Sequence, residues 1–198
     1  MVAHQSNPSW GYCHHHSYYS DHFTKKVILV GHHHLIDIKF CPYCGSPIQP
    51  KEVYGKVRST CPACEWVHFE DPKVAAAVLV QENGSILLAR RIFNPKKGDW
   101  TLPAGFVDAH EDPKDAAIRE CLEETGLVVR ITGLKDIISG REHDRGADMV
   151  IVYDAEIIGG KLSAGDDADD VAFFSLNQLP PLAFQATKKV IESLQKQQ

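Results

Sequence analysis

The chain has 198 residues, 43% of them hydrophobic and 24% charged, with a formal net charge of −5. That length supports one sizeable core and a small satellite. No apolar run approaches the ~20 residues of a membrane span, and no basic patch marks a nucleic-acid surface, so neither partner is expected.

Residues 1–38 hold eight of the eleven histidines, six of them in triplets at 14–16 and 32–34, amid Ser, Tyr and Asn. This biased composition leads us to expect a disordered or loosely attached tail. Its apolar run at 27–30 is too short for a signal-peptide core.

Residues 39–70 carry Cys41-Pro42-Tyr43-Cys44, then sixteen residues, then Cys61-Pro62-Ala63-Cys64. Two Cys-x2-Cys knuckles at this separation read as a tetrahedral Zn²⁺ site with Cys41, Cys44, Cys61 and Cys64 as ligands. Paired disulfides and a redox Cys-x-x-Cys are the alternatives. The first is disfavoured without a secretion signal, and the second needs no second copy. Four protein ligands leave no open position, so such a zinc is structural. A segment this small cannot build its own core, and metal binding supplies the missing stability. The remaining cysteines, Cys13 and Cys121, have no evident reason to pair; this usage fits a reducing compartment, and a cytoplasmic protein is expected.

From residue 71 the elements alternate. Residues 74–80 read as a strand, Asn83-Gly84 as a hairpin turn, and residues 85–90 as the returning strand. Arg90 and Arg91, at its end, are candidate phosphate contacts. Past the loop at 94–99, a short strand leads to Gly105. Phe93 and Trp100 offer stacking surfaces for a base, Trp100 being better suited to a core.

A helix follows. Asp112 is its N-cap, Pro113 its first residue, Asp115 sits in the first turn, and Gly126 suits the C′ position. Glu120, Glu123 and Glu124 stand at i, i+3 and i+4 and share one face. Ile118, Cys121, Leu122 and Thr125 fall opposite and form the expected apolar stripe. Like charges at this spacing repel by a few tenths of a kcal/mol per pair. The trio is therefore mildly unfavourable unless a hard divalent cation sits among its oxygens. Arg119, at the rim, lies four residues from both Asp115 and Glu123 and can orient a carboxylate. Taken alone, Arg-Glu-x-x-Glu-Glu also fits an ordinary solvated helix face.

Residues 127–138 supply strand material, and the loop at 139–147 carries Arg141, Glu142, His143, Asp144 and Arg145. Arg141 is a third candidate substrate contact. Residues 149–158 read as a long apolar strand. The acidic run 165–170 precedes another strand at 171–174. Pro180-Pro181 bounds a last helix near 184–195, with Val190, Ile191 and Leu194 as its apolar stripe.

Residues 105–127 match G-x5-E-x7-R-E-U-x-E-E-x-G-U (U a bulky apolar residue) at every fixed position, with Cys121 as the one soft departure. The run resembles the Nudix box. The resemblance implies an α/β fold: a Nudix α/β/α sandwich with a mixed sheet over 71–198, preceded by the four-cysteine zinc ribbon at 39–70. It implies a pyrophosphohydrolase that cleaves a nucleoside diphosphate linked to another moiety, with Mg²⁺ or Mn²⁺ as cofactor. By the same analogy Glu120 and Glu124 are direct ligands of that metal, and Glu123 is a ligand or its neighbour. The Ala104 carbonyl would add an oxygen, and Asp167 is the candidate from the acidic run to complete the site; that run equally fits a solvated acidic loop. Glu111 and Arg119 would hold the loop–helix geometry, and the general base is a box glutamate or an acid from a later loop. A ribbon beside such a domain resembles the NADH pyrophosphatase branch, but that branch's Ser-Gln-Pro-Trp-Pro-Phe-Pro run is missing from residues 128–148. ADP-ribose or FAD is therefore expected ahead of NADH. Nucleoside triphosphate sanitation and a non-catalytic nucleotide-sensing module are the other readings. Relatives are often homodimers, although no interface is legible here.

Overall fold

Two turns of the same kind organise the ribbon. Gly45 N donates to Cys41 O (2.9 Å) and Cys41 N to Ser46 O (2.8 Å). Glu65 N donates to Cys61 O (3.0 Å) and Cys61 N to Trp66 O (2.7 Å) in the second knuckle. Both turns pass through the left-handed region, at Gly45 (φ 72°) and at Glu65 (φ 60°). Between them run β1 (Gln49–Val53) and β2 (Lys56–Thr60), antiparallel partners with Lys51 opposite Arg58. Their turn, Tyr54-Gly55, has φ of 51° and 71°, the twist that a two-residue hairpin needs. A further run lies alongside β2, through a Thr60–Val67 bridge and a His68 N to Ser59 O bond.

The computed structural model describes residues 38–197, so the expectation for the His-rich tail lies, but for Ile38, outside the described residues. Beyond the ribbon come β3 (Val74–Glu82), β4 (Ser85–Arg91), β5 (Trp100–Thr101), β6 (Ala104–Phe106) and α1 (Pro113–Thr125). They are followed by β7 (Leu127–Ser139), β8 (Met149–Gly160), β9 (Ala168–Ser175) and α2 (Gln185–Gln195). Among the described residues no helix is long and apolar enough to cross a membrane.

β3 is the central strand, and its near-continuous apolar run follows from burial on both faces. Ala77 and Leu79 point into a core closed by Val190, Ile191 and Leu194 of α2. Ala76, Val78 and Val80 point to the other side, against Ala116, Ala117 and Cys121 of α1. The sheet is mixed: β3 pairs parallel with β8 and antiparallel with β6. The α/β/α sandwich expected from the sequence is the observed fold.

Two details differ from expectation. β4 returns beside β3 only at the turn, through Gln81–Ile86 and Glu82–Ser85. Further along, β6 occupies the β3 edge at Ala75–Ala77, while β4 pairs with β9 from Ser85–Ser175 to Arg91–Ala168. The hairpin therefore splays, because each arm finds a longer partner elsewhere. On α1, Leu122 is 46% exposed rather than part of the buried stripe. The buried arc is Ala116, Ala117, Cys121, Glu124 and Thr125. Its small side chains let the helix lie close to the sheet, and this rotation carries Glu124 inward.

Candidate active site and cysteine centre

Arg119 gathers the acidic residues. Its Nε donates to Glu111 Oε1 (2.9 Å) and its Nη2 to Glu111 Oε2 (3.0 Å), a two-pronged pair. Nη1 donates to Glu120 Oε1 (2.7 Å) and to Glu123 Oε2 (3.0 Å), and Nη2 also reaches Phe106 O (3.2 Å). Glu111 in turn accepts from Asp108 N (3.0 Å). Hydrogen bonding from Arg119, with that backbone bond, holds the Glu111 carboxyl down at about 2. The loop before α1, the helix and two of its three box glutamates thus meet at one guanidinium. Asp112 accepts from Lys114 N (2.8 Å), and Gly126, at φ 69°, sends its N–H to Leu122 O, so both helix ends are closed as expected.

Glu120 and Glu124 occupy different settings. The Glu120 carboxyl lies against the α-carbon of Gly105, where a Cβ would come within 2.0 Å of its Cδ and Oε1. Only glycine leaves room for that carboxylate. Glu124 is 5% exposed and accepts from Ala104 N (3.2 Å). Burial pushes its pKa up to about 8, against the Ala104 N–H, with the charges of Glu120 and Asp167 adding. Burial likewise raises Glu120, against the pull of Arg119. Arg119, with Arg91 acting on Glu124 through its charge, faces an excess of carboxylates, and oxygen donors of this kind suit a hard divalent cation. Glu120, Glu124 and the Ala104 backbone would hold it, with Glu123, 43% exposed at its side chain, alongside.

The segment after β8 closes the C-terminal end of α1. Lys161 N, Ser163 N and Gly165 N donate to the carbonyls of Gly126 (3.1 Å), Thr125 (2.9 Å) and Glu124 (3.1 Å). This brings Asp166 and Asp167 to the box: Asp166 acts on Glu120 and Asp167 on Glu124 through their charge. The Asp167 carbonyl also accepts from Ile92 N (3.1 Å), tying the acidic run to the end of β4.

Beside this face opens a cavity of about 530 Å³, lined by Arg91, Phe93, Ala104, Gly105, Asp167 and Phe184 among others. A wider depression of about 600 Å³, around Lys135, Asp154 and Glu156, contains none of the box residues. Of the three candidate substrate arginines, Arg91 and Arg141 line the cavity and Arg90 does not. Arg90 pairs with Asp169 (2.7 Å) and Asp170 (3.5 Å) and lies over Trp100. Arg91 lies 4.8 Å from the Phe184 ring centroid. Arg141 is engaged by both oxygens of Asp148, at 2.8 Å each. Trp100 packs edge-on against Phe174 in the core, while Phe93 is 54% exposed at the cavity.

One wall residue was not foreseen from the sequence. Phe184, at the N-cap of α2, provides no side-chain cap, and Glu142 from the 139–147 loop takes that role. Its Oε1 accepts from Gln185 N (2.7 Å) and Ala186 N (3.3 Å). The unsuitable capping residue at 184 was the available signal; the distant partner in the 139–147 loop was not legible.

The four knuckle cysteines form the second centre. Their sulfur atoms all lie within 4.8 Å of one another, Cys41 to Cys64 at 3.6 Å and Cys44 to Cys61 at 3.4 Å. These separations are too long for disulfides and close to the about 3.8 Å edge of a tetrahedral zinc–thiolate site. Hydrogen bonds from Ser46 draw Cys44 down to about 6. At Cys64 the Trp66 N–H also lowers the pKa, but the neighbouring thiols and burial prevail and push it up to about 12. Four thiolates need a cation to coexist there, and the donor set fits Zn²⁺.

The chain belongs to the Nudix family: the NUDIX domain profile matches residues 58–194. It is 43% identical over 118 residues to an ADP-ribose pyrophosphatase of Methanocaldococcus jannaschii, covering 59% of this chain and 70% of that protein. It is 30% identical over 150 residues to an NAD-capped RNA hydrolase of Pseudomonas aeruginosa, covering 74% of this chain and 51% of that protein. The chain thus spans about half the length of the latter relative. Among solved structures, a NUDIX hydrolase from Nitrosomonas europaea matches with a TM-score of 0.72 at 27% identity, over 81% of this chain and 92% of that one.

Two outcomes follow from the site's packing. Gly105→Ala is expected to displace the Glu120 carboxylate and weaken Mn²⁺ binding at least about tenfold, with the melting temperature little changed; calorimetric titration and thermal unfolding check both. Glu124 gives the second. Its folded pKa of about 8 lies above the ordinary 4.5, so its contribution to stability is present at low pH and lost as pH rises between those values. Glu111, lowered, acts only below that window. Zinc-loaded protein free of Mg²⁺ and Mn²⁺ should therefore melt lower at about pH 8 than at about pH 5.5. Glu124→Gln should flatten that slope, and an identical slope in the variant would contradict the assignment.

Proposed function

We propose that the chain is a divalent-metal-dependent pyrophosphohydrolase that cleaves a nucleoside diphosphate linked to another moiety, ADP-ribose ahead of FAD and NADH. The observation that carries this reading is the set of bonds by which Arg119 holds Glu111, Glu120 and Glu123 together at the edge of the 530 Å³ cavity. A cavity of that size accommodates a nucleoside with adjoining groups. The similarity to an archaeal ADP-ribose pyrophosphatase supports the substrate order. The 139–147 loop lines the cavity with Arg141 and Glu142 and carries no Trp-Pro run, which supports placing NADH behind.

In this reading Glu120, Glu124 and Ala104 O, with Asp167 and Glu123 nearby, would hold Mg²⁺ or Mn²⁺, which would supply neutralisation of the diphosphate charge and an activated water. The remaining residues position. Arg119 and Glu111 fix the box loop against the helix, so the carboxylates keep their spacing without ordering by substrate. Arg91 would meet a phosphate at the cavity mouth, and Phe93 and Phe184 offer faces for a base. Burial of Glu124 makes proton release part of metal binding.

Phosphate release is the test, from ADP-ribose, FAD, NADH, NAD⁺ and dGTP with Mg²⁺ or Mn²⁺, using a phosphatase couple where the product needs one. ADP-ribose should turn over fastest. Glu120→Gln should lower kcat by roughly two to three orders of magnitude while zinc content and melting temperature are retained. Full activity in the variant would overturn the carboxylate assignment, and no turnover of any compound would turn the reading to a nucleotide-binding module.

A further inference from the structure

The ribbon sorts its charges by face. Residues directly opposite in an antiparallel pair share a side. The register of β1 and β2 therefore places Lys51 with Arg58, and Val53 with Lys56, on one side and Glu52 with Val57 on the other. The run beyond the second knuckle extends the first side. Thr60 stands opposite Val67, which sets Phe69 beside Arg58, and the Arg58 guanidinium carbon lies 5.1 Å from the Phe69 ring centroid. Tyr54, from the hairpin turn, stacks on Phe69 with centroids 6.3 Å apart and ring planes at 25°. Lys51, Arg58 and Phe69 thus form one row across three chain segments, with Lys56 in the next row and Tyr54 on the end.

Three of the four Lys and Arg residues between 39 and 70 stand on this side, together with an aromatic pair. The acids of the segment lie elsewhere: Glu52 and Glu70 alternate to the opposite side, and Glu65 sits in the second knuckle. The stack faces water, with Tyr54 83% and Phe69 49% exposed. A formal net charge of −5 for the whole chain averages away this local excess of positive charge. A second copy of the same face would meet it with like charge. An acidic peptide would satisfy the cations and leave the aromatic faces unused. A duplex hides its base faces in the stack. Cations flanking exposed rings match a strand that carries regularly spaced phosphates and free bases.

We infer that this face of the ribbon binds single-stranded nucleic acid, with bases stacked on Tyr54 and Phe69 and phosphates met by Lys51, Lys56 and Arg58. The inference is independent of the hydrolase reading, because none of these residues lines the cavity or touches the box. The test uses the full chain, zinc-loaded, and the fluorescence anisotropy of a labelled single-stranded RNA of about 12 nucleotides, with its duplex as competitor. Saturable binding that weakens with salt and prefers the single strand is expected. The double variant Tyr54→Ala with Phe69→Ala, and separately Lys51→Glu, should each weaken it about tenfold or more, leaving zinc content and small-substrate hydrolysis at the wild-type level. No binding, equal affinity for duplex, or binding that survives both variants would overturn the inference. So would a concentration-dependent dimer that Tyr54→Ala dissolves in protein that fails to bind the oligonucleotide. Loss of hydrolysis in Glu120→Gln with oligonucleotide binding intact separates the two readings.

Discussion

The site depends on one guanidinium. Arg119 is the only cation hydrogen-bonded to the box carboxylates among the described residues, and it binds Glu111, Glu120 and Glu123 at once. Without it, acids at i, i+3 and i+4 would repel, and the loop bearing Glu111 would have no anchor on the helix. Its planar fork matters as much as its charge, since the two bonds to Glu111 fix an angle that a single ammonium cannot. What Arg119 leaves uncompensated is the negative charge around Glu120, Glu124 and the acidic run, the part of the site suited to a divalent ion.

The rest of the fold supplies the closeness this arrangement requires. Ala116, Ala117, Cys121 and Thr125 are small enough for α1 to lie close to the sheet, which brings Glu124 to the Ala104 N–H at the end of a strand. Gly105 leaves space for the Glu120 carboxylate, and the 161–165 segment ties the helix end to the acidic run. Glu124 sits where an ionised carboxylate is unfavourable, a penalty that a bound cation would offset.

Much of this was legible in the sequence because it depends on local spacing. The box pattern, the Asp112 cap, the Gly126 terminus and the paired knuckles are all set within a few residues or by a repeated motif. The strand at 74–80 was legible from its unbroken apolar run, although its central place and two-sided burial emerged only with the sheet. Features set by distant partners were not. Asn83-Gly84 signals a turn, but nothing local says that β4 leaves β3 for β9. Helical periodicity proposes an apolar arc near Leu122, while the alanines one turn earlier decide which way the helix faces. The remote cap by Glu142 and the pairing of Arg90 with Asp169 each join residues far apart in sequence, so Arg90 and Arg91 looked equivalent until the sheet separated them.

The most direct test of the central claim is Mn²⁺ binding to Arg119→Lys, followed by electron paramagnetic resonance in zinc-loaded protein. Lysine keeps the charge and loses the fork. If the guanidinium organises the carboxylates, the variant should bind Mn²⁺ at least about tenfold more weakly with its zinc content and melting temperature preserved. Wild-type Mn²⁺ affinity in a folded Arg119→Lys protein would contradict the account.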